Sequence, residues 1–114
     1  MPLLKIQTNQ ALDTNAGKAL AAAASGVVAD MLGKPESYVM ISVEHNPAML
    51  FAGSDEPLAY LELKSIGLPQ DKTTAFSAAL AELVQTHLGV SAGRVYVEFA
   101  NAERHLWGWN GGTF

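Results

Sequence analysis

The sequence predicts an α/β two-layer sandwich built from a duplicated β-α-β unit. Three observations carry that reading. Strand-like and helix-like periodicities alternate along the chain, prolines and glycines fall at the changes, and the second half repeats the first at a constant offset of 56 residues. Leu32-Gly33 overlays Leu88-Gly89, and Val39-Met40-Ile41-Ser42-Val43 overlays Val95-Tyr96-Val97-Glu98-Phe99.

Each element follows from its own residues. Leu4 and Ile6 alternate with Lys5 and Gln7, giving a strand over about residues 3–8. Asp13-Thr14-Asn15 supplies candidate caps for a helix whose face is Leu20, Ala23, Ala24, Val27 and Met31. Gly33 closes it and Pro35 prevents its continuation. Val39, Ile41 and Val43 mark a second strand, and Leu61 with Leu63 a third. Asp71, Thr73 or Thr74 can cap a second helix with Phe76, Leu80, Leu83, Val84 and Leu88 on one face, ended by Gly89. Val95, Val97 and Phe99 alternate in a fourth strand. Two parallel strand pairs, each with a right-handed crossover helix, give a four-stranded mixed sheet with two helices on one face. The other sheet face carries Met40, Ser42, Tyr60, Glu62, Tyr96 and Glu98, a mixture suited to water or to an oligomer interior. The aromatic tail, Leu106 to Phe114, is expected to pack against something, a neighbouring subunit included.

Length and composition fit one domain, residues 1–114, with pseudo-repeats at about 2–57 and 58–114. Nearly half the residues are apolar, enough for a core without staples. Eleven acidic against seven basic residues give a net charge of −4, with no basic stripe for phosphates, so no nucleic-acid partner is expected. Zero cysteines exclude disulfides, thiolate metal sites and a cysteine nucleophile. No apolar run approaches a spanning helix, so no membrane partner is expected. The N-terminus lacks the basic-then-apolar layout of a signal peptide, and a cytoplasmic chain, released if at all without such a signal, is expected. His45, His87 and His105 show no ligand spacing, so neither metal nor cofactor is expected. There is no glycine loop for phosphates and no nucleophile elbow.

One position carries chemistry by itself. Removal of Met1, which a small second residue permits, exposes Pro2 as a rigid secondary amine. Burial beside a cation brings an amine of ordinary pKa near 8 towards neutrality, which makes a general base at physiological pH. With Met1 retained, Pro2 is an amide and has no basicity.

Pro2 stands in company. The chain resembles the macrophage migration inhibitory factor family of the tautomerase superfamily through Pro2, Thr8-Asn9, Gly33-Lys34-Pro35, Tyr38, Ser54, Glu56-Pro57, Ser65-Ile66-Gly67, Arg94-Val95-Tyr96, Gly108-Trp109-Asn110 and Thr113-Phe114. These matches run in family order over nearly the whole chain. The resemblance implies the tautomerase fold, a homotrimer with active sites between subunits, and keto–enol tautomerisation of a small 2-keto acid such as phenylpyruvate. It implies Pro2 as the base, Lys34 on the substrate carboxylate, and the Ile66 N–H, beside Ser65, on a substrate oxygen. Tyr96 from the adjacent subunit would hydrogen-bond the oxygen that gains charge, with Tyr38, Trp107, Trp109 and Phe114 walling an apolar pocket. It also implies two further readings, a cytokine-like protein that engages a host receptor, and a proline-dependent decarboxylase or hydratase.

The chain departs from the vertebrate cytokines at several places. Glu98 replaces an asparagine on the strand face of Tyr96; near the pocket it would raise the proline pKa, repel an anion or pair with Lys34 or Lys64. Trp107 replaces a smaller aliphatic residue and narrows the mouth. Leu58-Ala59-Tyr60-Leu61 occupies the place of a Cys-x-x-Cys, so thiol-disulfide activity is ruled out. Leu12 and Asn46 replace an arginine and an aspartate, which weakens the receptor reading.

Overall fold

Alternation decides the first strand, β1 (Leu3–Thr8), in which every second residue from Leu4 is buried. A computed structural model describes residues 1–114. Helix α1 (Thr14–Leu32) starts at Asp13, whose carboxylate accepts from the Ala16 N–H at 2.7 Å, and stops where Gly33 turns left-handed at φ 63°. Strand β2 (Met40–His45) follows a single 3₁₀ turn, Glu36–Tyr38. The second half comprises β3 (Ala59–Ile66), α2 (Thr73–Leu88) and β4 (Val95–Ala102). A small hairpin of β5 (Gly108–Trp109) and β6 (Gly112–Thr113) ends the chain.

The sheet order is β2-β1-β3-β4. β1 runs parallel to β2 and β3 parallel to β4, while the two pairs meet antiparallel at β1 and β3. The duplicated β-α-β reading therefore corresponds to the observed two halves of one mixed sheet. Register fixes what stands beside what. Leu3 is level with Met40 and Lys64, and Lys64 with Ala100; Gln7 is level with Glu44 and Tyr60, and Tyr60 with Tyr96.

Both helices cover one sheet face over a core that includes Leu4, Ile6, Leu61 and Leu63 from the strands. The α2 side of that core is Phe76, Leu80, Leu83, Val84 and Leu88, as its periodicity predicts. For α1 the expected face is corrected. Leu20, Ala24, Val28, Ala29 and Leu32 are buried, while Ala23, Val27 and Met31 pack only partly at the rim. The α2 cap is also corrected: a 3₁₀ turn, Gln70–Lys72, leads into the helix and no side chain caps it. No helix is long and apolar enough to cross a membrane. The expected outcome of Asp13→Ala is a loss of about 1 kcal/mol and about 4 °C in Tm, read by thermal unfolding.

The opposite sheet face is polar and partly open. Lys5 lies 3.8 Å from Glu44 and Lys64 3.6 Å from Glu62. Such exposed pairs contribute little, so this face lacks an intrachain core.

Candidate active site

Pro2 immediately precedes β1, and it is buried. Its carbonyl accepts the Met40 N–H at 3.0 Å, which ties the start of β1 to β2 before the regular ladder begins. A cavity of about 410 Å³ opens beside it, lined by Met1 and Pro2, Ser37 to Met40, and Trp107, Trp109 and Phe114.

The tail builds the aromatic wall. The hairpin turn Asn110–Gly111 has φ of 53° and 76°, the two left-handed residues that a tight two-residue connection requires. It folds Gly112 back against Trp109, and the Phe114 N–H donates to the Trp107 carbonyl at 3.3 Å. Trp109 and Phe114 stack with centroids 5.4 Å apart. Tyr38 meets both edge-on, at 5.6 Å and 6.0 Å. A flat apolar group fits such a wall.

The electrostatics at the chain's terminal nitrogen are cationic. Burial first, then Lys34, then Arg104, hold the Met1 ammonium below the ordinary α-amino value. Neither Lys34 nor Arg104 forms an ion pair. Arg104 is a residue that sequence reasoning missed. It sits in the 3₁₀ turn Arg104–Leu106 just before Trp107, and no motif distinguishes it from a surface arginine.

Ser65 and Ile66 end β3, buried, on the strand beside β1 and at the same end as Pro2. The Ser65 hydroxyl donates to the Ile66 carbonyl at 3.1 Å. Neither lines the cavity within the single chain.

Tyr96 and Glu98 lie elsewhere. Tyr96 is level with Gln7, at the far end of β1 from Pro2 and two strands across, roughly 20 Å away by strand spacing. It is 66% exposed, and its ring packs 4.9 Å from that of Phe51. Glu98 pairs with neither Lys34 nor Lys64: it accepts the Tyr60 hydroxyl at 2.7 Å, and Glu62 stands 3.1 Å from the same hydroxyl. The Glu98 hydrogen bond, then burial, then Glu62 push the Tyr60 phenol well above its ordinary value, so it stays the donor.

Arg94 organises the end of the sheet that carries Tyr96. Its guanidinium donates to the carbonyls of Phe51, Ser54, Glu56 and Pro57 at 3.0–3.2 Å. Asn9 ties down the same segment, donating to the Asp55 carbonyl at 2.8 Å and accepting the Leu58 N–H at 3.0 Å. Phe51 and Ser54 pair reciprocally around Ala52, whose φ of 54° costs an L-residue about 1 kcal/mol.

The comparisons with known proteins agree with one another. The family model described as macrophage migration inhibitory factor (MIF) matches residues 1–114. A macrophage migration inhibitory factor homolog of Brugia malayi is 40% identical over 115 residues, covering 100% of this chain and 99% of that protein. The structure of a homologue from Prochlorococcus marinus superposes with a TM-score of 0.92 at 38% identity, covering 98% of each chain. That of macrophage migration inhibitory factor from Toxoplasma gondii gives 0.92 at 34% identity, over 98% of this chain and 99% of the other.

Proposed function

The chain belongs to the macrophage migration inhibitory factor family, and from that premise we propose that it is a keto–enol tautomerase acting on an aromatic 2-keto acid, with the Pro2 amine, freed by loss of Met1, as general base. The observation that carries the reading is the burial of Pro2 at an aromatic cavity, next to a chain terminus where burial, Lys34 and Arg104 hold the Met1 ammonium below its ordinary value.

The chemistry follows from those groups. A neutral Pro2 amine takes a proton from the carbon beside the keto group. The C–H electron pair becomes the C=C bond of an enolate, and the carbonyl π pair moves onto oxygen. The prolinium then returns its proton to that oxygen, which gives the enol; ketonisation runs the same steps backwards. Lys34 holds the substrate carboxylate, and its charge keeps the amine neutral. Ser65 and the Ile66 N–H stand at the same end of the sheet to orient the substrate oxygens. Tyr38, Trp107, Trp109 and Phe114 take the ring.

Tyr96 stabilises the enolate oxygen only from another copy, because its own chain holds it roughly 20 Å from Pro2. A closed homotrimer meets that demand: each subunit offers its Pro2 end to one neighbour and its Tyr96 end to the other. The polar face, with Lys5, Glu62 and Lys64, then turns inward.

Lys34→Ala tests the carboxylate role. Expected is a rise of about tenfold in KM for phenylpyruvate. The sign of the pH effect is fixed as well. Removing a cation favours the ammonium, so the amine pKa rises and the acid limb of kcat/KM moves to higher pH. An unchanged KM and an unmoved limb would remove Lys34 from the site.

The receptor reading is less supported. Leu12 packs against the core, the Asn46 side-chain amide oxygen accepts the Ala48 N–H at 3.0 Å, and both side chains are neutral where the cytokines carry charge. A hydratase reading would use Glu98 to hold water, yet Glu98 is engaged by Tyr60.

A further inference from the structure

We propose that Phe51 is a positioning residue for Tyr96: clamped by Arg94, its ring fixes the direction in which the Tyr96 hydroxyl reaches into the neighbouring subunit's pocket. The inference rests on the tautomerase reading and goes one step further, to a side chain that touches no substrate.

Tyr96 by itself has little to hold it. It stands on the edge strand β4 and is 66% exposed, with its hydroxyl in no hydrogen bond within the chain. The ring that restrains it is Phe51, at 4.9 Å between centroids and an interplanar angle of 57°. Phe51 is itself held in two ways. The Arg94 guanidinium carbon lies 5.2 Å from its ring centroid, and the guanidinium also grips the Phe51 carbonyl at 3.2 Å. The Phe51–Ser54 turn keeps Ala52 in a left-handed conformation that an alanine adopts only when its surroundings impose it. The reciprocal Phe51–Ser54 backbone bonds close that turn over Ala52 and Gly53, and Arg94 anchors it through the Ser54 carbonyl, with the Glu56 and Pro57 carbonyls tying down the rest of the loop.

These restraints point one way. Arg94 closes the 3₁₀ turn Ala92–Arg94 that leads into β4 and Tyr96 is the second residue of that strand, and both meet the same Phe51 ring. A hydroxyl that must meet a developing negative charge in another subunit gains from being aimed before the substrate arrives. An arginine spent on four backbone carbonyls and a phenylalanine ring provides that aim.

A double-mutant cycle decides the matter, with Phe51→Leu and Tyr96→Phe measured singly and together on Met1-free protein, each checked for the mass of the wild-type assembly. Expected is a fall of about tenfold in kcat for Phe51→Leu, KM changing less than about twofold, and almost no further loss when Phe51→Leu is added to Tyr96→Phe. A loss of equal factor in both backgrounds overturns the proposal, since Phe51 then acts on something other than the hydroxyl. Undiminished kcat in Phe51→Leu overturns it too. If Tyr96→Phe alone is harmless, the role given to Tyr96 falls and the positioning role falls with it, while the assignment of Pro2 stands or falls on its own test. If Phe51→Leu does not assemble, Phe51→Tyr keeps the ring in place and is expected to retain the wild-type kcat; a tenfold loss there overturns the proposal.

Discussion

Ketonisation of enol-phenylpyruvate is expected from chains that have lost Met1 and not from chains that keep it, a difference of at least about a hundredfold. With Met1 attached, the Pro2 nitrogen is a tertiary amide: it carries no proton and its lone pair is delocalised into the carbonyl. Met1 also occupies the wall of the cavity beside Pro2, so a retained methionine takes space from the substrate. The Met1 amine does not substitute for the lost base. It lies one residue earlier in the chain, about 3.8 Å between Cα atoms, too large an offset for a proton transfer that needs hydrogen-bond reach. The two forms are prepared with and without methionine aminopeptidase processing and identified by intact mass. Pro2→Gly in the processed chain is expected to leave the fold intact and to reduce turnover sharply, because a flexible primary amine replaces a ring-locked secondary one. Equal turnover from the processed and unprocessed chains would sink Pro2 as the base.

How much of this is legible in the sequence depends on the range of the interactions involved. Helix α2 reads correctly because large apolar residues mark one face and Ala, Ser, Thr and Glu mark the rest. Helix α1 does not, because its sequence is rich in alanine, glycine and serine, and small residues blur the period that assigns a face. The tail shows its aromatic content, and the structure adds the Asn110–Gly111 turn that makes a wall of it. Pro2 is legible as chemistry, since a second-position proline can become an amine. Its neighbours, with Tyr96 expected from an adjacent subunit, are named through family resemblance, and the sheet register holds Tyr96 at the far end of its own chain from Pro2. Arg94 is among the residues matched to the family, but its contacts, and Phe51 with them, lie beyond sequence reasoning for a plain reason. The arginine's partners are backbone carbonyls 37 to 43 residues away, and a carbonyl has no residue type to recognise. Arg104 escapes notice because a field felt at the chain terminus leaves no local pattern.

Mixing two impaired variants should restore activity, which is the strongest consequence of that register. In the proposed closed ring each site would take Pro2 from one subunit and Tyr96 from the next, so Pro2→Gly is expected to disable the sites in which its own chain supplies the base. Tyr96→Phe weakens the sites of its neighbour instead. Each variant alone is therefore deficient in every site, with the Pro2→Gly protein near background. Random reassembly of equal amounts places an intact Pro2 beside an intact Tyr96 in about a quarter of the sites, because each condition holds in half of them independently. Turnover of the mixture after dissociation and reassembly should thus rise above the mean of the two parents, towards about a quarter of wild type, and separate chains mixed without dissociation should show no gain. A site complete within one subunit predicts the opposite: no chain in the mixture carries both groups, so activity stays at the mean of the parents. The measurement separates these cases without knowledge of the physiological substrate, since it asks only which chains contribute to one pocket.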